Sequence, residues 1–415
     1  MSLAAATIQR RDFHAADGLD AALDPRLMAV RLGGGAPCHV LDAKLEPDGT
    51  GVVLYRLGAG LVVGIMDADE ELRTYPFPLD PHLPGMATAF DADAMSSVLG
   101  TVLAGHRARS DRVLRYRAEL IRYRPTRRCT LRLELGLADR TRAGPVRRRV
   151  LYAKLYHDPA KAAAAYAAQV MVSAAATVEG VSFARTAGFA RDMNLVLQEP
   201  LSGTPLEPLL GRGDAAAMAA AAVAALHDLD VTGARQRPIE PAVTRMRARA
   251  DAVAQLDAPL GAAMATVAER LLRMLGRLDD WGATRCLIHG DCKPSQFLLD
   301  RSTVAVLDLD HSGTADPASD VGEYLASLRA LEARLPSRAG ARRHIARARR
   351  RFLDAYVARR GGEGLQLRVH WYEAAALLRK GYRAFQRSRR SPLAPALVAA
   401  ADRRLDALGR AGRRP

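Results

Sequence analysis

The stretch CLIHGDCKPSQFLLDRSTVAVLDLDHSGTADPASD, residues 286–320, decides the reading of this chain. Three apolar runs of strand length, Cys286–Ile288, Phe297–Leu299 and Val304–Leu307, frame the polar loop His289–Gln296 and lead into Asp308. Short apolar runs bounded by Gly, Pro and polar residues read as strands. The loop and Asp308 are therefore presented near one another at strand ends. Phosphoryl transfer needs such a set: a carboxylate that orients the attacking hydroxyl and takes its proton, and oxygen ligands that hold Mg²⁺ against the phosphates. On that chemistry Asp291 is the base, and Gln296 and Asp308 are the metal ligands. Lys293 is either an ammonium that neutralises charge on the transferring phosphate or an exposed loop lysine. His289 braces the loop by hydrogen bonds.

The run His289–Gly290–Asp291–Cys292–Lys293–Pro294–Ser295–Gln296 resembles the H-G-D-x-x-x-x-N loop of the aminoglycoside phosphotransferase and choline kinase superfamily. The next block, VLDLDHSGTADPASDVGEYL at 306–325, resembles that superfamily's I-D-W-E-x-A-x-x-G-D-P-x-x-D-L-A. The resemblance implies an α+β, two-lobed protein-kinase-like fold, with a small β-rich lobe and a larger helical lobe. It places Asp308 at the metal-binding Asp, and Asp316–Pro317 and Asp320 at the structural D-P-x-x-D element. Two residues depart from the usual pattern. Gln296 stands where the superfamily has Asn, keeping the amide oxygen but carrying it one methylene further. Lys293 occupies the place where protein kinases of the D-x-K-x-x-N type carry Lys.

Upstream, the superfamily's phosphate-binding lysine matches Lys154, which interrupts the apolar strand Arg149–Tyr156. A helix glutamate normally pairs with such a lysine. The Ala-rich helix expected over Pro159–Val178 contains no Glu, and Gln169 is its best-placed polar residue, either a hydrogen-bond partner of Lys154 or a solvent-facing side chain. No G-x-G-x-x-G precedes Lys154. The loop Arg124–Thr130 takes its place, with Arg127 and Arg128 as phosphate contacts or as a solvated hairpin end. Val196–Gly203 resembles the family's hinge, so backbone groups at Gln198, Glu199 and Leu201 are expected to bind the purine edge. ATP and GTP are both open.

The remaining chain is read around these motifs. Strands are expected at Val40–Leu45, Gly51–Leu57 and Leu61–Met66, then a Pro-marked loop and a helix over Asp91–His106. The strand pattern returns from Leu114, with strands at Leu120–Tyr123, Cys129–Leu137, Arg149–Tyr156, Phe183–Ala190 and Asn194–Glu199, and the pattern beyond Pro200 is mainly helical. This gives an α+β N-terminal extension over 1–110, a kinase-like small lobe over 111–199 and a helical lobe over 200–415. At an offset of 78, LDAKLEPDGTGVVLYRLG (41–58) resembles ELIRYRPTRRCTLRLELG (119–136). The extension then reads as a degenerate copy of the small-lobe sheet, with Ile65 about where Lys154 stands. Gly33–Gly34–Gly35 reads as a flexible turn.

The late helices hold His370, Trp371, Tyr372, Glu373, Tyr382 and Phe385, either an acceptor wall or ordinary core packing. Composition narrows the class. Of 415 residues 49% are hydrophobic, enough for a large core and too many for wholesale disorder. The formal net charge is +16, from 61 Lys+Arg against 45 Asp+Glu. Such a surface attracts anions, but without a nucleic-acid fold signature, nucleic-acid partners are not expected. Four Cys without paired spacing read as reduced thiols. No signal peptide or membrane span is expected, so a cytoplasmic location is. The expected activity is Mg²⁺- and ATP- or GTP-dependent phosphorylation of a hydroxyl on an aminoglycoside-, sugar- or amino-alcohol-like acceptor. The alternative is a nucleotide-binding pseudokinase with a regulatory or scaffold role.

Overall fold

In a computed structural model of the chain, the described residues are 21–33, 36–46, 48–69, 71–106, 111–139, 145–175, 178–335 and 339–411. The N-terminal start, Gly34 and Gly35 of the expected turn, Pro47, the hairpin tip 140–144 and the expected helix positions 176–177 lie outside them. The chain divides into two compact units. One takes Met1–Tyr166, Arg185–Pro200 and Gln386–Ser388. The other takes Ala167–Ala184, Leu201–Phe385 and Arg389–Pro415.

The first unit holds two antiparallel sheets. One has the order β1 (Cys38–Leu45), β2 (Gly51–Leu57), β3 (Gly60–Met66), β4 (Leu72–Pro76). The other has the order β5 (Asp111–Arg124), β6 (Arg128–Asp139), β7 (Arg147–Tyr156), β10, β9; here β9 is Thr186–Ala190 and β10 is Leu195–Gln198. In β6 the alternate residues Cys129, Leu131, Leu133, Leu135 and Leu137 are all buried in one core. The period of two puts every second side chain on that face. The helix Ala92–His106 covers it with Met95, Leu99 and Leu103, one amphipathic stripe. Asp91 caps that helix, accepting from the N–H groups of Asp93 (3.0 Å) and Ala94 (2.9 Å).

The two sheets share register as well as order. Val40 pairs with Tyr55, and 78 residues later Ala118 pairs with Leu133. Lys44 pairs with Val52, and Arg122 with Thr130. Each first strand carries one irregularity between those pairs. Ile65 lies opposite Val52 as Lys154 lies opposite Thr130.

The second unit is mostly helical. Its small sheet has the order β11 (Thr204–Pro205), β13 (Phe297–Asp300), β14 (Thr303–Val306), β8 (Val181–Phe183), and a separate ladder joins β12 (Cys286–Ile288) to β15 (Gly313–Ala315). The helix Ala215–His227 is apolar nearly all round because it is buried nearly all round. Among the described residues no helix is long and apolar enough to cross a membrane.

Three sequence expectations are corrected. Phe183–Ala190 is not one strand: the chain leaves β8, which pairs in parallel with β14, and enters the other sheet at Thr186. The Pro-marked stretch contains β4, where Pro76 closes the strand as its last residue. β5 runs unbroken from Asp111 to Arg124, longer than the expected Leu120–Tyr123 and beginning ahead of Leu114, where the strand pattern returns.

Candidate active site

The β12–β15 ladder sets the loop: Ile288 pairs with Gly313, and the chain then turns at His289–Gly290. Gly290 has φ +75°, and a Cβ there would collide with the carbonyl oxygen of His311. Only glycine meets both conditions. The buried Asp320 carboxylate accepts from the N–H groups of His289 (2.6 Å) and Gly290 (2.8 Å) and lies 3.1 Å from His227 Nε2. Burial works to raise its pKa, but His227, His289 and these hydrogen bonds hold it below the usual carboxylate range. His289 Nε2 donates to the Leu307 carbonyl (2.8 Å), and its Nδ1 accepts from the Asp291 N–H (3.3 Å). One imidazole thus ties the loop to the end of β14.

The four side chains expected here come together. Lys293 Nζ pairs with Asp291 Oδ2. Gln296 Nε2 is 3.3 Å from Asp291 Oδ2 and 3.4 Å from Asp308 Oδ2. The Leu307 N–H donates to the Gln296 carbonyl (2.8 Å), which sets Asp308 beside Gln296. Asp308 itself is left-handed, φ 58° and ψ 58°, a strained conformation of the kind that clusters at functional sites. Lys293 is only 21% exposed, so the reading of an exposed loop lysine does not hold. Burial works to raise the Asp291 pKa, but the Lys293 charge and hydrogen bond outweigh it and hold the carboxyl at about 2. Asp291 is therefore ionised at neutral pH.

Among the described residues no group of three or more His, Cys, Asp or Glu side chains could hold a metal ion. The oxygen donors on offer are the Asp308 carboxylate and the Gln296 amide. In this structure the amide nitrogen faces both carboxylates. The terminal amide torsion is broad and two-fold, so a half-turn presents Oε1 instead. The longer Gln side chain reaches Asp308, so the pair fits Mg²⁺, which takes few protein ligands and keeps several waters.

In the first unit, Lys154 is 7% exposed in β7, between Thr130 and Val196. Gln169 does not serve it: both atoms of its amide are buried and make no hydrogen bond. The loop after β5 turns at Thr126, φ +61°. It is held by a residue that sequence reasoning missed. Asp80, 5% exposed, accepts from the Tyr123 hydroxyl (2.7 Å), the Thr126 N–H (2.8 Å) and the His82 N–H (2.9 Å). Its one sequence signal is an acid set among prolines. Arg127 beside this turn is exposed and Arg128 half-buried. At the hinge, the Glu199 N–H donates to Arg185 O (2.8 Å) and its carboxylate pairs with Arg149 (2.6 Å). Glu199 therefore has no N–H left for a purine edge, and Pro200 has none to give. The carbonyl oxygens and Leu201 remain. The Gln198 side chain is buried in β10.

The late-helix aromatics are core. Trp371 is fully buried and donates to Leu271 O (3.2 Å), Tyr372 packs edge-on against it (5.1 Å), and Tyr382 and Phe385 are buried in the same helical core. Glu373 is also fully buried, among Arg329, Arg349 (3.6 Å) and Arg404 (2.7 Å).

A model of the phosphotransferase enzyme family (APH) matches residues 142–361, more than half of the chain. The chain belongs to this phosphotransferase family. The matched span runs from β7 with Lys154 through the loop at Asp291 to Asp308 and Asp320. Among solved structures, the phosphotransferase is similar to a thermostable mutant of aminoglycoside phosphotransferase APH(4)-Ia in ternary complex with AMP-PNP and hygromycin B. That likeness has 14% identity and a TM-score of 0.50, covering 78% of this chain and 100% of the other, and it shows the kinase-like fold. Macrolide 2′-phosphotransferase MphH from Brachybacterium faecium matches at 20% identity and a TM-score of 0.44, covering 75% and 98% of the two chains. A choline/ethanolamine kinase family protein from Mesorhizobium loti matches at 17% identity and a TM-score of 0.43, covering 70% and 87%. No curated protein sequence matches.

Proposed function

We propose that this phosphotransferase moves the γ-phosphoryl group of ATP or GTP to a hydroxyl of a small molecule in the cytoplasm. The observation that carries the reading is the convergence of Asp291, Lys293, Gln296 and Asp308 on one point of the loop. Asp291 accepts the acceptor's hydroxyl hydrogen and aims its oxygen at the γ-phosphorus. The new P–O bond forms as the bond to the β,γ-bridging oxygen breaks, and the nucleoside diphosphate leaves. A carboxylate with a pKa of about 2 takes the proton only late in this step, so its main contribution is orientation. Lys293 keeps that carboxylate charged.

Gln296 and Asp308 would hold Mg²⁺, which supplies charge neutralisation on the phosphates. Lys154 binds triphosphate oxygens, with Arg127 and Arg128 as further contacts from the turn that Asp80 fixes. Backbone groups at Gln198, Glu199 and Leu201 take the purine. The AMP-PNP and hygromycin B in the fold neighbour support a nucleotide donor and a hydroxyl-bearing acceptor. In this reading residues 1–110 are a degenerate copy of the small-lobe sheet, without the lysine, and residues 111–199 and 200–415 form the two lobes. The test is incorporation of label from γ-labelled ATP into an alcohol, abolished by EDTA.

One observation favours a second reading. The helix Pro159–Ala175 holds no glutamate, and the buried amide of its Gln169 makes no hydrogen bond. A nucleotide-binding pseudokinase would bind ATP with Mg²⁺ yet transfer phosphate to no alcohol.

A further inference from the structure

The proposed base stands among cations that the proposed chemistry does not use. Asp320 and Glu323 lie one helical turn apart on the helix Ala318–Arg334, on a shared face. Asp320 holds the backbone of His289 and Gly290. Glu323, 4% exposed, takes Arg379 at one oxygen and Lys380 at the other (2.7 Å), both from the helix Leu365–Arg387. Lys380 also reaches Ser327 Oγ (2.9 Å). Two cations thus arrive one helical turn from the carboxylate that holds the Asp291 loop.

A third comes from irregular chain. The Arg237 N–H donates to Thr314 O (3.0 Å), anchoring it to β15. Its Cγ and Cδ lie 2.8 Å from where a Cβ on Gly313 would stand. Gly313 pairs with Ile288, the residue before His289. The Arg237 stem therefore lies beside the strand pair that carries the loop, next to the Arg235 carbonyl, which a Cβ on Gly313 would meet first.

Arg379 and Lys380 share one carboxylate, Glu323, so these two cations face a single negative charge. The neighbouring acids are already engaged: Lys293 pairs with Asp291, and Asp320 lies against His227 and the loop N–H groups. Arg237 is half-buried and forms no ion pair among the described residues. Burial, then the charges of Arg235 and Arg379, disfavour its protonated form, with Asp320 and Asp291 offsetting only part. Arg379 Nε is buried without a hydrogen-bond partner. Buried cations and donors left unmatched cost stability unless something completes them.

We propose that the acceptor is an anion: an alcohol bearing a phosphate or carboxylate group, held by Arg237 and Arg379 while Asp291 orients its hydroxyl. The inference rests on Asp291 as the group that receives the acceptor. A cationic aminoglycoside or amino alcohol would add like charge to this site.

The test measures transfer from γ-labelled ATP to alcohols grouped by charge. Glucose, gluconate, glucose 6-phosphate and glucosamine form a matched set within the panel. Label is expected in the anionic group, with gluconate against glucose 6-phosphate telling carboxylate from phosphate. Arg237→Gln, which breaks no ion pair, should raise the acceptor KM about 10- to 100-fold without a matching rise in the nucleotide KM. Arg379→Gln provides a second variant. Asp291-dependent transfer to neutral or cationic alcohols, with the anions ignored, overturns this inference and leaves the transferase reading standing. Transfer to no alcohol of any charge overturns both.

Discussion

Asp80→Ala asks most of the structure, because the residue lies outside every recognisable motif. Its carboxylate accepts three hydrogen bonds, two of them from the strand and turn at Tyr123 and Thr126. Tyr123 is 8% exposed, and burial followed by the Asp80 charge pushes its pKa up, so it remains a donor. Orphaning a buried donor costs about 1–3 kcal/mol. The two donors together set a range of about 2–6 kcal/mol, and partial rescue by water brings the expected loss to about 3 kcal/mol. Thr126 is a β-branched residue at φ +61°, a conformation that costs about 1–3 kcal/mol and persists only when its surroundings hold it. Without Asp80 the turn relaxes, and Arg127 and Arg128 lose their placement. Urea denaturation should show the stability loss, and calorimetry should show ATP binding at least about tenfold weaker, since about 1.4 kcal/mol of positioning is worth that factor. A stability change under about 1 kcal/mol with unchanged ATP affinity would refute the reasoning. A large stability loss with unchanged affinity would show that this turn does not handle the nucleotide.

Two further outcomes are expected. The Asp320 pKa is lowered in the folded state, so its contribution to stability is present above the ordinary carboxylate range and is lost as pH falls through the folded value. Urea midpoints for the parent and Asp320→Asn should therefore differ by a constant amount above about pH 5 and converge below about pH 4; a gap that does not narrow on acidification contradicts the assignment. Glu373→Gln leaves Arg329, Arg349 and Arg404 around a neutral side chain. Removing one partner of a buried ion cluster costs about 3–5 kcal/mol, and a chain that unfolds at the parent's urea midpoint would show that the cluster contributes nothing.

The parts legible in the sequence are those whose residues lie close together along it. The loop from His289 to Gln296 carries its acid, lysine and amide within eight positions, and Asp308 follows one short hairpin later. Lys154 was visible because it breaks an apolar alternation, and β6 because its alternation is nearly unbroken. What stayed hidden depends on distant partners. Asp80 meets Tyr123 across 43 residues and Thr126 across 46. Arg237 has no periodic context, since its place is set by a backbone bond to Thr314. The split between β8 and β9 follows from two different sheets competing for adjacent residues, which local propensity does not record. Trp371 and Tyr382 look alike as core or as a binding wall until their burial is known.

The central claim is that Asp291 aims an alcohol at a nucleotide's terminal phosphorus, and ³¹P NMR of ATP with Mg²⁺ and an alcohol acceptor tests it most directly. The parent chain should convert the γ-phosphoryl resonance into a phosphate monoester. Asp291→Asn should do so roughly 10²–10⁴ times more slowly while still binding ATP. Monoester formation at the parent rate in Asp291→Asn, or release of inorganic phosphate alone by the parent, would contradict the account.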